Sequence, residues 1–131
     1  MFAQIPTILL AEDEPLIRRA IQATLVDMGF VVRPARDGDE GCALIDAMKD
    51  QCPQLLVTDV EMPGCSGEEL AQHARQCCAQ IKLLFTSGTP QPALRKSIAA
   101  DPNARFLEKP FLPGKLREVI REMGVGPPAS L

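Results

Sequence analysis

The chain has 131 residues and a formal net charge of −3, a length that suits one compact domain. Hydrophobic residues make up 46% and charged residues 24% of the sequence, close to the globular average, which excludes an intrinsically disordered chain. Lys and Arg number 14 against 17 Asp and Glu, so the basic surplus that general nucleic-acid binding requires is missing.

The cysteines and the single histidine, His73, form no recognisable metal or disulfide framework. There are 5 cysteines, an odd number without a C-x-x-C pair: Cys42, Cys52, Cys65, Cys77 and Cys78. We therefore expect free thiols in a reducing compartment, and the roles of the neighbours Cys77 and Cys78 stay open. No basic and apolar leader opens the chain, and no apolar run approaches the ~20 residues of a membrane span, which predicts a cytoplasmic domain without membrane contact.

In chain order, short apolar runs and helical patterns alternate. The runs predict strands over Thr7–Ala11, Val31–Ala35, Leu55–Asp59, Lys82–Thr86 and Ala104–Glu108. The first predicted helix has an apolar stripe of Leu16, Ile17, Ala20, Ile21, Leu25 and Met28, and the last has Leu116, Val119, Ile120 and Met123. Helices are also predicted after a turn at Asp37-Gly38, after a capping box beginning at Ser66, and over about 92–100.

Turn residues agree with these boundaries. Pro15 suits the first position of a helix and Gly29 suits its end. Regular alternation of strand and helix predicts a single α/β domain with a doubly wound, five-stranded parallel sheet and five helices. We place this domain at residues 1–123 and expect residues 124–131 to form a flexible tail or linker stub.

Chemically distinctive residues follow the ends of different predicted strands. Glu12 and Asp13 come after the first strand, Asp59 closes the third, Thr86 closes the fourth, and Lys109 follows the fifth. Parallel sheets place their sites at this edge. The first loop, 11–15, is acidic and lacks the glycines that a dinucleotide or P-loop phosphate site requires.

Oxygen ligands on rigid strand ends suit a hard, partly hydrated cation, and Mg²⁺ is the first choice. Asp13 and Asp59 would bind it directly, Glu12 would bind through water, and a backbone carbonyl at Glu61 would add a ligand. The alternative is that the acidic residues after the first strand only cap a helix whose N-terminus favours anions. Asp59 and Lys109, on other strands, make this alternative weaker.

Four motifs resemble the receiver domain of two-component response regulators. They are Leu9-Leu10-Ala11-Glu12-Asp13-Glu14-Pro15, Val57-Thr58-Asp59-Val60-Glu61-Met62-Pro63-Gly64, Phe85-Thr86-Ser87-Gly88 and Phe106-Leu107-Glu108-Lys109-Pro110-Phe111. The resemblance extends from about Thr7 to Met123 and implies a flavodoxin-like receiver fold. The run 84–88 further resembles receivers of hybrid histidine kinases, so the chain is expected to work either alone or within a larger, membrane-anchored kinase.

The resemblance implies a signalling switch that catalyses only its own phosphorylation and slow dephosphorylation. Asp59 would accept the phosphoryl group as an aspartyl phosphate, with Mg²⁺ bound beside it. Lys109 would supply positive charge and Thr86 a hydroxyl for the phosphoryl group. Thr86 and Phe106 would form the conformational switch, and the Lys109–Pro110 bond would be cis. Glu61 and Gly88 would tune dephosphorylation.

The implied donor is a histidine kinase or a histidine phosphotransfer domain. The implied output surface comprises the fourth helix, fifth strand and fifth helix, around Arg95, Lys96, Phe106 and Lys115, and no nucleic-acid-binding element accompanies it. Two alternatives belong to other classes: a degenerate receiver that serves only as an interaction module, and an aspartyl-nucleophile phosphatase of the haloacid-dehalogenase kind. The latter requires an Asp two residues past the nucleophile, where this chain has Glu61.

Overall fold

The structure is a computed structural model that describes residues 6–126. Strands and helices alternate along the described chain. Their bounds are β1 Thr7–Ala11, α1 Pro15–Asp27, β2 Val31–Ala35, α2 Gly38–Met48, β3 Leu55–Asp59, α3 Gly67–Cys77, β4 Lys82–Ser87, α4 Pro92–Ala99, β5 Ala104–Glu108 and α5 Pro113–Glu122. The predicted order of elements is therefore confirmed.

The strands form one parallel sheet in the order β2-β1-β3-β4-β5. One face packs against α1 and α5 through a cluster that includes Ile21, Leu25 and Ile120. The other face packs mainly against α2 and α3, through residues such as Ile45 and Leu70. Helices on both faces explain why the central strands are continuously apolar, and they confirm the doubly wound fold.

Several element boundaries follow from local residues. Pro15 begins α1, and Gly29 follows its end with a φ of 100°. This φ lies in the left-handed region that glycine adopts without steric cost. Ser66 caps α3 by accepting a hydrogen bond from the Glu69 amide, and the Glu69 side chain accepts one from the Ser66 amide, which completes the predicted capping box.

The predicted apolar stripe of α1 was wrong in part. Leu16 is 74% exposed, and Ala20 is also exposed. Thr24 is buried instead, and its hydroxyl donates a hydrogen bond to the Ala20 carbonyl. This hydrogen bond satisfies the buried hydroxyl, so a polar residue can occupy the core face.

The expectation of free thiols was wrong for two cysteines. Cys52 and Cys78 form a disulfide with a Cα–Cα distance of 5.8 Å across a sequence separation of 26 residues. Cys52 follows α2 and Cys78 follows α3, and these helices lie side by side on one face of the sheet. The remaining thiols, Cys42, Cys65 and Cys77, are half-buried.

The predicted tail lies partly outside the described residues, since 127–131 are not described. Val125 is buried and packs into the cluster beneath α1 and α5. Packed chain therefore continues at least two residues past residue 123, and the flexibility of the remainder stays a prediction. Among residues 6–126, no helix is long and apolar enough to cross a membrane.

Gly67, the first residue of α3, permits a close approach to β3. A Cβ atom there would lie 2.1 Å from the Asp59 carbonyl oxygen and 2.9 Å from the Val60 Cα. Gly67→Ala should therefore lower the free energy of unfolding by about 1–3 kcal/mol, the usual cost of overpacking. Urea denaturation measures this loss.

Gly88→Ala is the matched control, because a Cβ at Gly88 meets nothing within 4 Å. Its effect should stay within about 0.5 kcal/mol. An unchanged urea midpoint for Gly67→Ala would show that α3 is not held tightly against β3.

Candidate functional site

A cavity of about 440 Å³ opens where the central strands end. The loops after β1, β3, β4 and β5 line it together with the start of α1. Its lining residues are Glu12, Asp13, Glu14, Ile17, Asp59, Glu61, Ser87, Gly88, Thr89 and Lys109. The topology therefore brings together most of the predicted site residues.

Three carboxylates converge in this cavity. Glu12 is 1% exposed, Asp59 is half-buried and Asp13 is exposed. One oxygen of each lies within 4.8 Å of the others. This proximity follows from the sheet, because β1 and β3 are hydrogen-bonded neighbours and both end at this edge. Clustered carboxylate oxygens are suitable ligands for a hard cation.

Lys109 balances this negative charge. Its Nζ donates to Glu12 Oε1 at 2.5 Å and lies 3.4 Å from Asp59 Oδ2. Its backbone N–H donates to the Ser87 carbonyl at 2.8 Å, which fixes the loop against β4. The Lys109–Pro110 bond is cis, as the resemblance implied.

Burial and charge shift the pKa values of this pair. Burial raises the pKa of Glu12 above its ordinary value, and the hydrogen bond from Lys109 offsets only part of this effect. For Lys109, burial alone would lower the pKa. The hydrogen bond and charge of Glu12, together with Asp59, outweigh burial and raise the pKa of Lys109. The ammonium is therefore a permanent charge in the cavity at neutral pH.

The structure separates two neighbouring hydroxyls. Thr86 lies opposite Asp59 in the β3–β4 register and is 1% exposed, yet it is not among the residues that line the cavity. Ser87, the next residue and the last of β4, does line it. Successive side chains of a strand point to opposite sides. Thr86, the register partner of Asp59, therefore lies on the same side of the sheet as Asp59, and the Ser87 side chain lies on the opposite side.

Ser87 belongs to the same motif as Thr86, and the sequence interpretation gave it no role. Its Oγ accepts a hydrogen bond from the Thr89 amide at 3.0 Å and lies 3.0 Å from Thr89 Oγ1. The Ser87 hydroxyl is thus bonded within the loop after β4. The assignment of the phosphoryl-binding hydroxyl to Thr86 stays a prediction.

Two polar residues at the rim, Thr89 and Gln91, escaped the sequence interpretation, and both contact the predicted residue Glu61. Glu61 Oε1 accepts hydrogen bonds from Thr89 Oγ1 at 2.7 Å and from Gln91 Nε2 at 3.0 Å. Gln91 has a φ of 51°, in the left-handed region. Gly88 contributes no side chain, and the space around it is open.

Phe106 lies apart from the cavity. It pairs with Phe85 in the β4–β5 register and is half-buried against the cluster beneath α4. The guanidinium carbon of Arg95 lies 4.1 Å from the centre of its ring, a cation–π contact. Phe106 is thus part of the α4–β5 surface rather than of the acidic site.

The Lys109–Glu12 contact should dominate the stability of this edge. Lys109→Gln leaves the Glu12 carboxylate buried without its cation, and breaking such a pair typically costs about 3–5 kcal/mol. Urea denaturation at neutral pH should show a loss of this size. Lys115→Gln is the control. The Lys115 side chain is half exposed, and its ion pair with Glu118, at 3.8 Å, is a weak surface contact. The loss of stability in this variant should therefore be small.

The stability lost in Lys109→Gln should depend on pH in a defined direction. The folded-state pKa of Glu12 is raised from 4.5, so folding favours the protonated carboxyl. The stability that this preference contributes is fully present below pH 4.5 and is lost as the pH rises through the folded-state pKa. Removing Lys109 raises that pKa further. The difference between Lys109→Gln and the wild type should therefore shrink as the pH falls, and a pH-independent difference would contradict a charged contact.

Comparisons with known proteins agree with this geometry. The sequence model of the response regulator receiver domain matches residues 8–121. The chain is 33% identical over 116 residues to the response regulator receiver protein CpdR of Brucella abortus, spanning 88% of this chain and 92% of that protein. It is 32% identical over 117 residues to the sensor kinase CckA of the same organism, covering 89% of this chain but only 12% of the kinase.

Solved structures show the same likeness. The receiver domain of the hybrid histidine kinase CckA superposes with a TM-score of 0.75 at 28% identity, covering 89% of this chain and 97% of that one. The chemotaxis response regulator CheY4 of Vibrio cholerae gives a TM-score of 0.76 at 27% identity, with coverage of 92% and 99%.

Proposed function

The chain belongs to the response regulator receiver domain family of two-component systems, and on that premise we propose that Asp59 accepts a phosphoryl group from a phosphohistidine. Receiver domains are phosphoaccepting signalling switches that interact with histidine kinases or phosphotransfer proteins. The observation that carries the assignment to Asp59 is its position in the acidic cavity, half-buried and 3.4 Å from the Lys109 ammonium.

The proposed reaction follows from this arrangement. A carboxylate oxygen of Asp59 attacks phosphorus, the bond between phosphorus and the imidazole nitrogen breaks, and an acyl phosphate forms. Phosphoryl transfer mainly requires positioning and neutralisation of charge. Lys109 can shift from Glu12 and Asp59 toward the phosphoryl oxygens, because its Nζ already lies between the two carboxylates.

We propose Mg²⁺ as the cofactor, and the residues fit it. The donor set of Glu12, Asp13 and Asp59 is all oxygen, with the atoms within 4.8 Å of one another. Glu12 is occupied by Lys109, so Asp13 and Asp59 would bind directly and Glu12 through water, with the Glu61 carbonyl completing the set. Bound there, the cation would neutralise charge on the transferring group.

Acetyl phosphate provides a direct test. With Mg²⁺, intact-mass spectrometry should show one phosphoryl adduct, which Asp59→Asn abolishes. Asp50→Asn is the matched control, since that residue lies at the other end of the sheet and its variant should be modified like the wild type. Asp13→Asn, or omission of Mg²⁺, should slow modification, and an adduct that persists in Asp59→Asn would refute the assignment.

We further propose that Thr86 supplies the hydroxyl that binds the phosphoryl group. Thr86 is buried and is the register partner of Asp59, so the two side chains share one side of the sheet. On phosphorylation its hydroxyl would turn toward the acyl phosphate and draw the loop after β4 inward. Phosphorylation shifts the equilibrium only through such differences between the two states.

The response is proposed to reach the surface formed by α4, β5 and α5. Phe106 would move into space vacated by the β4 loop and release Arg95 from its ring. Arg95, Lys96 and Lys115 would then present a changed basic surface to a downstream protein. Glu61 keeps its proposed role in tuning dephosphorylation, with Thr89 replacing Gly88 as its counterpart because their side chains are hydrogen-bonded.

Two single substitutions distinguish the hydroxyls. Thr86→Ala should still accept a phosphoryl group at Asp59, yet its amide spectrum with a phosphoryl analogue should change little around Phe106. Loss of one charge-assisted hydrogen bond, about 1.5–3 kcal/mol, is enough to remove such a two-state bias. Ser87→Ala is the matched control and should respond like the wild type; the opposite pattern would transfer the role to Ser87.

A further inference from the structure

A second cluster of side chains that can serve as metal ligands lies outside the acidic cavity, between α2 and α3. Asp46 comes from α2, and His73 and Cys77 come from α3, where their spacing of four residues places them on one face. One ligand atom of each lies within 4.8 Å of the other two. His73 and Cys77 are half-buried and Asp46 is exposed, so an ion from solvent can reach them.

The side chains of Asp46 and Cys77 approach the same imidazole nitrogen of His73. His73 Nε2 lies 2.7 Å from Asp46 Oδ1 and 3.9 Å from Cys77 Sγ, and the sulfur lies 3.9 Å from that same oxygen. A nucleophilic cysteine would require the carboxylate on one imidazole nitrogen and the thiol on the other. Here the Asp46 carboxylate and the Cys77 thiol both approach Nε2, so the imidazole cannot take the thiol proton on one nitrogen while the carboxylate holds the other. The arrangement instead places three potential ligand atoms around one point.

We propose that Asp46, His73 and Cys77 bind a divalent transition cation of the Zn²⁺ class. This donor set combines thiolate, imidazole and carboxylate, which Zn²⁺ accepts and Mg²⁺ does not favour. With three protein ligands the fourth position is left for water. The sequence interpretation found no zinc framework, because the chain has no C-x-x-C pair and a single histidine. Ligands on two helices separated in sequence by β3 leave no such spacing pattern.

The distances suit this ion after small adjustments. Tetrahedral bonds of about 2.0–2.3 Å place nitrogen and oxygen about 3.3 Å apart, and sulfur about 3.6 Å from either. The observed separations of 2.7, 3.9 and 3.9 Å require shifts of about 0.3–0.6 Å. The exposed Asp46 side chain can rotate by that amount.

Binding would join α2 to α3 near the Cys52–Cys78 disulfide, which links the ends of the same helices. Cys77 directly precedes Cys78, so the cation and the disulfide would constrain adjacent residues. Because a bound ion stabilises the folded state alone, Zn²⁺ should raise the Tm of the wild type. The acidic cavity is a separate site and depends on different residues.

Cobalt is the probe for the test. The sequence has no Trp and no Tyr, so a thiolate-to-cobalt charge-transfer band in the near ultraviolet would be easy to detect. Protein purified without reductant and handled under argon should develop this band at one equivalent of Co²⁺, and one equivalent of Zn²⁺ should abolish it. Cys77→Ser should lose the band, whereas Asp59→Asn and the double variant Cys42→Ser, Cys65→Ser should keep it.

Asp46→Asn provides a second test, because it changes an exposed ligand and leaves the half-buried His73 and Cys77 intact. It should weaken Zn²⁺ binding in calorimetry by at least about tenfold, since even changes outside the ligand shell cost that much, and it should reduce the Zn²⁺-dependent rise in Tm. No thiolate band in the wild type, a band that survives Cys77→Ser, or a band that requires Cys42 or Cys65 would overturn the proposal.

Discussion

The ammonium of Lys109, held between Glu12 and Asp59, is the interaction on which the candidate site depends. Glu12 is 1% exposed, and a carboxylate at that depth is tolerated only with a charged, hydrogen-bonded partner. Lys109 follows β5 at the sheet edge, whereas Glu12 and Asp59 follow β1 and β3. Its side chain therefore reaches past the end of β4 and ties the carboxyl ends of the sheet together.

Other contacts hold the backbone of the site around this pair. The start of α3 lies against the backbone of Asp59, at a distance that only Gly67 permits, and the Ser66 capping box fixes where that helix begins. The Lys109 backbone is hydrogen-bonded to the Ser87 carbonyl. The backbone of the phosphoacceptor candidate is thus packed on one side, while Thr89 and Glu61 at the rim are exposed.

Sequence reasoning predicted the features that local pattern controls. Apolar runs and turn residues located the five strands to within one residue and placed the five helices between and after them. The topology rule for parallel sheets placed Glu12, Asp13, Asp59 and Lys109 at one edge. Sequence reasoning failed where the outcome depends on three-dimensional packing. The Cys52–Cys78 pairing and the Asp46, His73 and Cys77 cluster depend on how α2 lies beside α3.

The most direct test is to follow the Glu12 side-chain carboxyl by NMR through a pH titration of the metal-free protein. The raised pKa of Glu12 comes first from burial and is increased by the charge of Asp59, while Lys109 opposes it. The inflection should therefore lie above 4.5 in the wild type, move upward in Lys109→Gln and move downward in Asp59→Asn. An inflection at or below the ordinary value, or one that neither substitution moves, would contradict a buried carboxylate balanced by Lys109.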